Sequence, residues 1–367
     1  MPISAVDAIS PAFEHTKQQL FKPFRFGQWT RLAFVGLLAG ELGSGGGCNF
    51  HVPQNFPRTT PQQHFTHAGF PAVDPAVLAA IIAVLVLSGL VLGIFLLYVS
   101  SVMRFVLFDS VIARECHIRD AWVRRQEPGI KYFWWKLLYM LAMIMGMVVL
   151  VGIPLGFGFA IGWLRDPNHH ILPLVLGGTV LFFVLLLFIL ATTVIYVLTK
   201  DFVVPQMAFE NINAIEGWRR LWAMIKAEKG GYAGYIGMKI VMAIGAAIVI
   251  GIASVILLLV IGIPVGALGL VAVVTGKTAG LTWNVQTITL AVVAGCVVLA
   301  FFFYAIALIS VPAIVFFPAY SIYFFASRYP ALRAVMYPAP PPVPEIPPTP
   351  ANPPEMPPLP PSADPIG

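Results

Sequence analysis

Five long apolar runs limit what this chain can become. They lie at 76–103, 137–164, 171–199, 238–264 and 286–317. A helix of about 20 mostly apolar residues covers the hydrocarbon core of a bilayer, and each run is longer than that. Inside lipid every backbone N–H and C=O must find its partner within the protein, so an apolar run of this kind is read as a spanning helix. Composition agrees. The 367 residues are 59% hydrophobic and 10% charged, against roughly 25% charged in a soluble domain. A sixth run, 29–47, is shorter. Its apolar part, Leu32 to Leu42, contains Glu41 and ends in GSGGG. By length alone it also fits a re-entrant or interfacial segment.

Charge placement sets the expected topology. All of the 22 Lys and Arg except Arg58, Arg165 and Lys277 fall in four stretches. These precede the 29–47 run, join 76–103 to 137–164, join 171–199 to 238–264, and follow 286–317. Basic connections stay on the cytoplasmic side. With 29–47 counted as a crossing, the chain reads as an all-α polytopic membrane protein of six spans. Both termini are then cytoplasmic, and a bacterial inner membrane is the expected location. The stretch before Trp29 has no apolar core of its own, so a cleaved signal peptide is not expected.

The connectors resemble one another. RFVLFDSVIARECHIRDAWVRR, from Arg104, and DFVVPQMAFENINAIEGWRR, from Asp201, align at an offset of 97, which pairs Phe105 and Val106 with Phe202 and Val203. After one gap Trp122 pairs with Trp218. The helices that follow carry the words VGIPLG (151–156) and IGIPVG (261–266). SVPAIVFFPAYSIYFF (310–325) looks like a third copy of the Phe/Pro break, and PAFEHTKQQLFKPFRFGQW looks like a first amphipathic helix. The chain then divides into three parallel hairpin units near 11–113, 120–209 and 216–323, within a membrane domain 1–330. Repeated units in one orientation are related by an axis along the membrane normal. From Pro338 half the residues are proline. A segment of that kind stays extended, and 331–367 is expected to be a disordered cytoplasmic tail.

The segment 213–226 has the strongest local pattern. Asn213 and Glu216 fit a capping box. Trp218, Leu221, Trp222 and Ile225 recur at helical spacing, with Arg219, Arg220 and Lys226 elsewhere on the wheel. Such a connector suits the headgroup boundary, where anionic lipid would attract the basic face. Trp122, Arg124 and Arg125 are the matching interfacial candidates in the earlier connector. Pro154, Pro205, Pro264 and Pro312 are candidate helix breaks, because proline removes a helix hydrogen bond. The words around Pro154 and Pro264 are expected to end their helices at outer loops.

Other chemistry is sparse. His51, His64, His67, His169 and His170 fall in expected outer loops without the spacing of a zinc motif, so neither a metal nor any other cofactor is expected. Cys48, Cys116 and Cys296 form no CxxC pair. Topology places them in an outer loop, on a cytoplasmic connector and within the last span. No carboxylate sits mid-run except Glu41, near the end of its run, which argues against proton or sodium coupling. GxSxG, HExxH and P-loop patterns are missing. The basic residues flank apolar runs and form no soluble face, so nucleic acid is not an expected partner. The chain therefore reads as a non-enzymatic membrane module with lipid as its partner, with a carrier or channel for a lipid-like or small solute as the alternative. No protein partner can be named.

DFVVPQM (201–207), EGWRRLWAMIKAEKG (216–230) and, more loosely, AFEHTKQQLFKPFRFGQW (12–29) carry a family resemblance. The pattern is similar to the multi-span membrane region of bacterial glycerophosphodiester phosphodiesterases and its stand-alone relatives. The resemblance implies the same multi-span architecture over most of 11–325. No catalytic barrel follows the last span, so the hydrolase activity does not carry over.

Overall fold

A computed structural model describes residues 3–41, 75–163, 169–278, 280 and 285–338, and those residues contain no strand. In chain order the helices are α1 (Ile9–Phe21), α2 (Phe26–Ala39), α3 (Pro75–Ala113), α4 (Ile118–Arg124), α5 (Gln126–Ala160), α6 (Ile171–Leu198), α7 (Val204–Glu210), α8 (Ala214–Ala227), α9 (Lys229–Leu257), α10 (Ile263–Thr278), α11 (Val285–Ala326) and α12 (Pro330–Met336). Two π-helical turns, Thr199–Val203 and Leu258–Gly262, join α6 to α7 and α9 to α10 without interruption. Five continuous helices are therefore long and apolar enough to cross a membrane: Ala76–Ala113, Gln126–Ala160, Ile171–Glu210, Lys229–Gly276 and Gln286–Ala326. They match the five long runs of the sequence. The chain is an all-α protein of membrane type.

These helices divide into two zones. Their apolar midsections are almost wholly exposed, as expected of surfaces meant for lipid. Each helix also runs past its apolar run into the charged connector, as α3 does from 103 to Ala113. The overshooting ends meet the short helices and make a packed head. The buried residues concentrate there: 101–111 of α3, 198–208 around the first π turn, 307–326 of α11, and the inward faces of α1, α2 and α8. At its centre Phe202 packs edge-on to Tyr232, with ring centroids 5.4 Å apart, and touches Tyr235, Phe324 and Phe325. Phe105 packs edge-on to Tyr132 in the same way, at 5.9 Å. Gly129 lets α5 lie against α3, since a Cβ there would stand 2.7 Å from Val102 Cγ2.

The head gathers both ends of the described chain. His15 of α1 bridges α3 and α11, with Nε2 2.8 Å from the Val111 carbonyl and Nδ1 3.2 Å from the Tyr323 hydroxyl. Tyr320 donates to the Ala5 carbonyl, and Arg328 to that of Ile3. Helix α12 buries Leu332, so the packed part runs past the expected boundary at 330. Beyond Pro338 the proline-rich stretch lies outside the described residues.

The marginal run 29–47 does not yield a spanning helix among the described residues. Helix α2 has 14 residues, about 21 Å of length. It rises beside α3 from Gln28, which donates to the Arg114 carbonyl, to Glu41, which pairs with Arg104. Its stop is built in. Gly40 is left-handed (φ 81°), its N–H reaches the Gly36 and Leu37 carbonyls, and Glu41 N–H returns to the Gly36 carbonyl at 2.9 Å. This is a glycine-terminated C-cap.

The four candidate helix breaks are not breaks. Pro154 and Pro312 lie inside the uninterrupted helices α5 and α11. Pro205 and Pro264 each follow a π turn. Proline leaves the carbonyl four residues earlier without its donor. For these two prolines that carbonyl belongs to Asp201 and Val260, both inside the π turns, where the widened helix absorbs the fault. The words GIPLG and GIPVG accordingly do not end their helices, which continue to Ala160 and Thr278.

Candidate functional site

The π turn Thr199–Val203 carries Lys200 and Asp201 into the head, and both are buried. Four elements meet them. Glu41, just past α2, pairs with Lys200 and with Arg104 of α3, and all three side chains are under one tenth exposed. Asp201 pairs with Lys239 of α9 and accepts a hydrogen bond from the Tyr235 hydroxyl at 2.9 Å. Thr199 accepts from the Trp218 indole at 2.9 Å, tying α8 to the same turn. Nearby, Lys136 of α5 donates to the Ser100 hydroxyl at 2.8 Å. A cavity of about 10 Å³ lies beside Arg104, Lys200, Asp201 and Ser321, room for about one water molecule.

The depth of this cluster follows from helix length. Helix α6 has 28 apolar or weakly polar residues before the π turn, about 42 Å at 1.5 Å per residue. The cluster therefore stands about 21 Å from the middle of that stretch, outside the roughly 15 Å half-thickness of the hydrocarbon core. Ion pairs here lose much of their hydration, and their mutual attraction must offset it.

A second group of charges lies at the outer side of the head. Arg125 grips Asp109 with two bonds of 2.8 Å and donates to the Ala208 carbonyl at 2.5 Å. Arg220 bridges Glu210 and Glu216, and Tyr329 donates to Glu210 at 2.5 Å. Arg328 holds Glu228 through two bonds of 2.6 and 2.8 Å, and this keeps the Glu228 carboxyl below its ordinary pKa.

The sequence candidates separate into two sets. Arg125 and Trp218, expected at the lipid boundary, are turned inward and bonded to protein. Trp122 is half-buried against Tyr98, at 6.1 Å between ring centroids. Arg220 is divided between two carboxylates. Arg124 is exposed, 3.8 Å from Asp109. On α8 the inward face is Ala214, Gly217 and Leu221, while Arg219, Trp222 and Lys226 form an outward stripe with Ile215. Lys226 lies over the Trp222 ring at 5.7 Å. Trp222 thus sits among the bases and not on an opposite face, because the protein core takes the face the wheel assigned to lipid. The capping box does not form either. Asn213 has the extended backbone of an N-cap but makes no side-chain cap bond, and Glu216 turns to Arg219 and Arg220.

The chain belongs to a family of unknown function, DUF7544, whose profile matches residues 3–335. Among curated proteins and solved structures, none matches the chain. The matched range takes in the head from its first residues to α12.

Reading the runs as bilayer segments placed Lys200 with the water-exposed bases and missed the cluster. The usable signal was the pair Lys200-Asp201 inside an otherwise apolar helix, followed by Pro205. Of the expected outer-loop histidines, His169 and His170 are described, and the His170 ring lies 6.3 Å from that of Trp163. His51, His64, His67 and Cys48 lie outside the described residues. Among the described residues no group of three His, Cys, Asp or Glu could hold a metal ion. Cys116 is buried in the head, whereas Cys296 is exposed on the apolar part of α11.

Proposed function

We propose that the protein is a non-enzymatic membrane module, a scaffold in lipid or envelope processes whose shafts lie in the bilayer and whose head meets the headgroups. One observation carries this reading. The buried charges of the head engage one another around a space for one water, while the described midsections of the shafts carry no Asp, Glu, Lys or Arg. A carrier or channel needs a wet polar route at mid-depth, and this arrangement argues against one. Resemblance to the membrane region of glycerophosphodiester phosphodiesterases agrees with a place beside lipid. The outward stripe Arg219, Trp222 and Lys226 suits anionic lipid on the cytoplasmic side of a bacterial inner membrane.

The same reading keeps six crossings. Residues 3–21 and 326–336 pack in one head, so the chain crosses an even number of times. Five crossings are the described long helices. Three repeated units also remain part of the proposal. Two observations support them: the paired edge-on contacts of Phe105 with Tyr132 and of Phe202 with Tyr232, and the left-handed residues that follow. Arg114 (φ 59°) and Asn211 (φ 52°) are 97 positions apart, the offset of the sequence alignment.

Reconstitution tests the functional reading. Liposomes carrying the protein should pass small solutes and flip fluorescent phospholipid analogues no faster than empty liposomes. Flux rising in proportion to protein content would establish the carrier reading in its place.

A further inference from the structure

Lys136 and Lys239 occupy equivalent places. Each lies ten residues into its long helix, which begins at Gln126 in one case and Lys229 in the other. Each points toward the helix that precedes it by one connector, α3 for Lys136 and the α6–α7 helix for Lys239. There the likeness ends. Lys239 finds Asp201. At the offset of 97, the residue matching Asp201 is Arg104, a cation that is itself committed to Glu41. Lys136 is left with the neutral Ser100 hydroxyl at 2.8 Å and no carboxylate within ion-pair distance among the described residues. It is half-buried, and its charge acts on that of Arg104 and Lys200. The local sum is unbalanced. Arg104, Lys136, Lys200 and Lys239 face Glu41 and Asp201.

A surplus cation at headgroup level, in a partly dehydrated place, draws an anion. The surroundings say which kind. Above Ser100 the shaft of α3 is exposed and apolar from Val84 to Phe95. Beside Lys136 stands an aromatic shelf, Trp135 stacked on Tyr139 at 5.2 Å and Tyr139 on Tyr196 at 6.2 Å. An anion with acyl chains fits both parts of the place, with chains along the shaft and the phosphate between Lys136 and Ser100. We infer that Lys136 and Ser100 hold the phosphate of one anionic phospholipid, which takes the place Asp201 fills in the neighbouring unit. This rests on the reading that the head lies at the headgroups, and it is independent of whether the α8 stripe binds lipid.

The full-length protein in detergent, titrated with phosphatidylglycerol and read by native mass spectrometry, tests this. Wild type should retain one phosphatidylglycerol in preference to phosphatidylcholine. Lys136→Met should lower that affinity about fivefold, the equivalent of the roughly 1 kcal/mol assigned to one basic residue near an anionic surface, and Lys136→Arg should restore it. Lys17→Gln, exposed on α1 and outside both this place and the α8 stripe, should leave this single tight lipid in place. Free inorganic phosphate and glycerol phosphate, added at matched concentration, separate the sources. If they protect the protein against heat as well as the lipid does, the site takes a soluble phosphate and the acyl-chain half of the inference is wrong. Equal retention by wild type and Lys136→Met, with both proteins folded by circular dichroism, overturns the site while leaving the scaffold reading intact. Liposome flux by wild type would overturn the scaffold reading alone.

Discussion

Asp201 offers the sharpest test of how the head is held together. Its carboxylate is 2% exposed. It takes the Lys239 ammonium and the Tyr235 hydroxyl, so removing it strands two buried donors at once. Breaking a buried ion pair from one side costs about 3–5 kcal/mol, mostly the cost of the orphaned charge. Asp201→Asn keeps the shape and one acceptor for Tyr235 and belongs at the lower end of that range. Lys239→Met leaves the carboxylate facing only a hydroxyl and belongs at the upper end. With both changes no charge is stranded, and the loss should shrink to about 1–2 kcal/mol, since exchanging a whole buried pair for neutral groups is often close to neutral. The coupling between the sites is then several kcal/mol and favourable, as for residues in direct contact. Denaturant unfolding of the four proteins in one detergent, followed by tryptophan emission, measures it. The double variant should be more stable than either single variant. A double variant that loses the sum of the two single losses would refute the reasoning, because each residue would then be stabilising the head through other contacts.

Three further outcomes follow from the head. His15 is buried and neutral, and burial is the main reason its pKa lies below the ordinary 6.5. The unfolded chain takes up a proton that the native head refuses, so stability should fall as pH drops through about 6.5; His15→Gln should flatten that slope in melting curves between pH 7.5 and 5. Cys116 is buried, and burial raises the pKa of its thiol. Opening the membrane should therefore not expose it to maleimide, against the expectation for a cytoplasmic connector, and labelling should begin only with denaturant. Ending the chain after Pro338 should leave the melting temperature unchanged, whereas ending it after Ser327 removes the buried Leu332 and the Tyr329–Glu210 bond and should lower it clearly.

The sequence made the shafts legible, because a long apolar helix has one reading in lipid. Phe105, Val106, Phe202 and Val203, the residues paired in the connectors, are all fully buried. Two things were hidden. The first is how far each helix continues past its apolar run. Lys200 and Lys239 look like bases at a water boundary until the overshooting ends are seen to pack on one another. The second is which apolar surface meets protein and which meets lipid. Trp218 and Trp222 are indistinguishable on a helical wheel, yet one reaches Thr199 and the other faces out. The proline words misled for a related reason. A stop signal in water is only a defect in a long helix that can widen by one π turn, as before Pro205 and Pro264. Glu41 reads in the sequence as an oddity of a weak span, and its meaning needs Arg104 and Lys200 beside it.

The bridge from His15 to Tyr323 spans 308 residues of chain, and this bears on the order of events at the ribosome. Helix α1 is made well before α11, which carries much of the surface it packs against. At about 5–20 residues per second, synthesis takes on the order of 15–60 s to reach Tyr323. For that interval the side of α1 that α11 covers stays open, while the intervening helices are made. Native closure of the head is then a late event, completed when the last span supplies its seat, and a chain halted before residue 320 would be inserted but still open at its base.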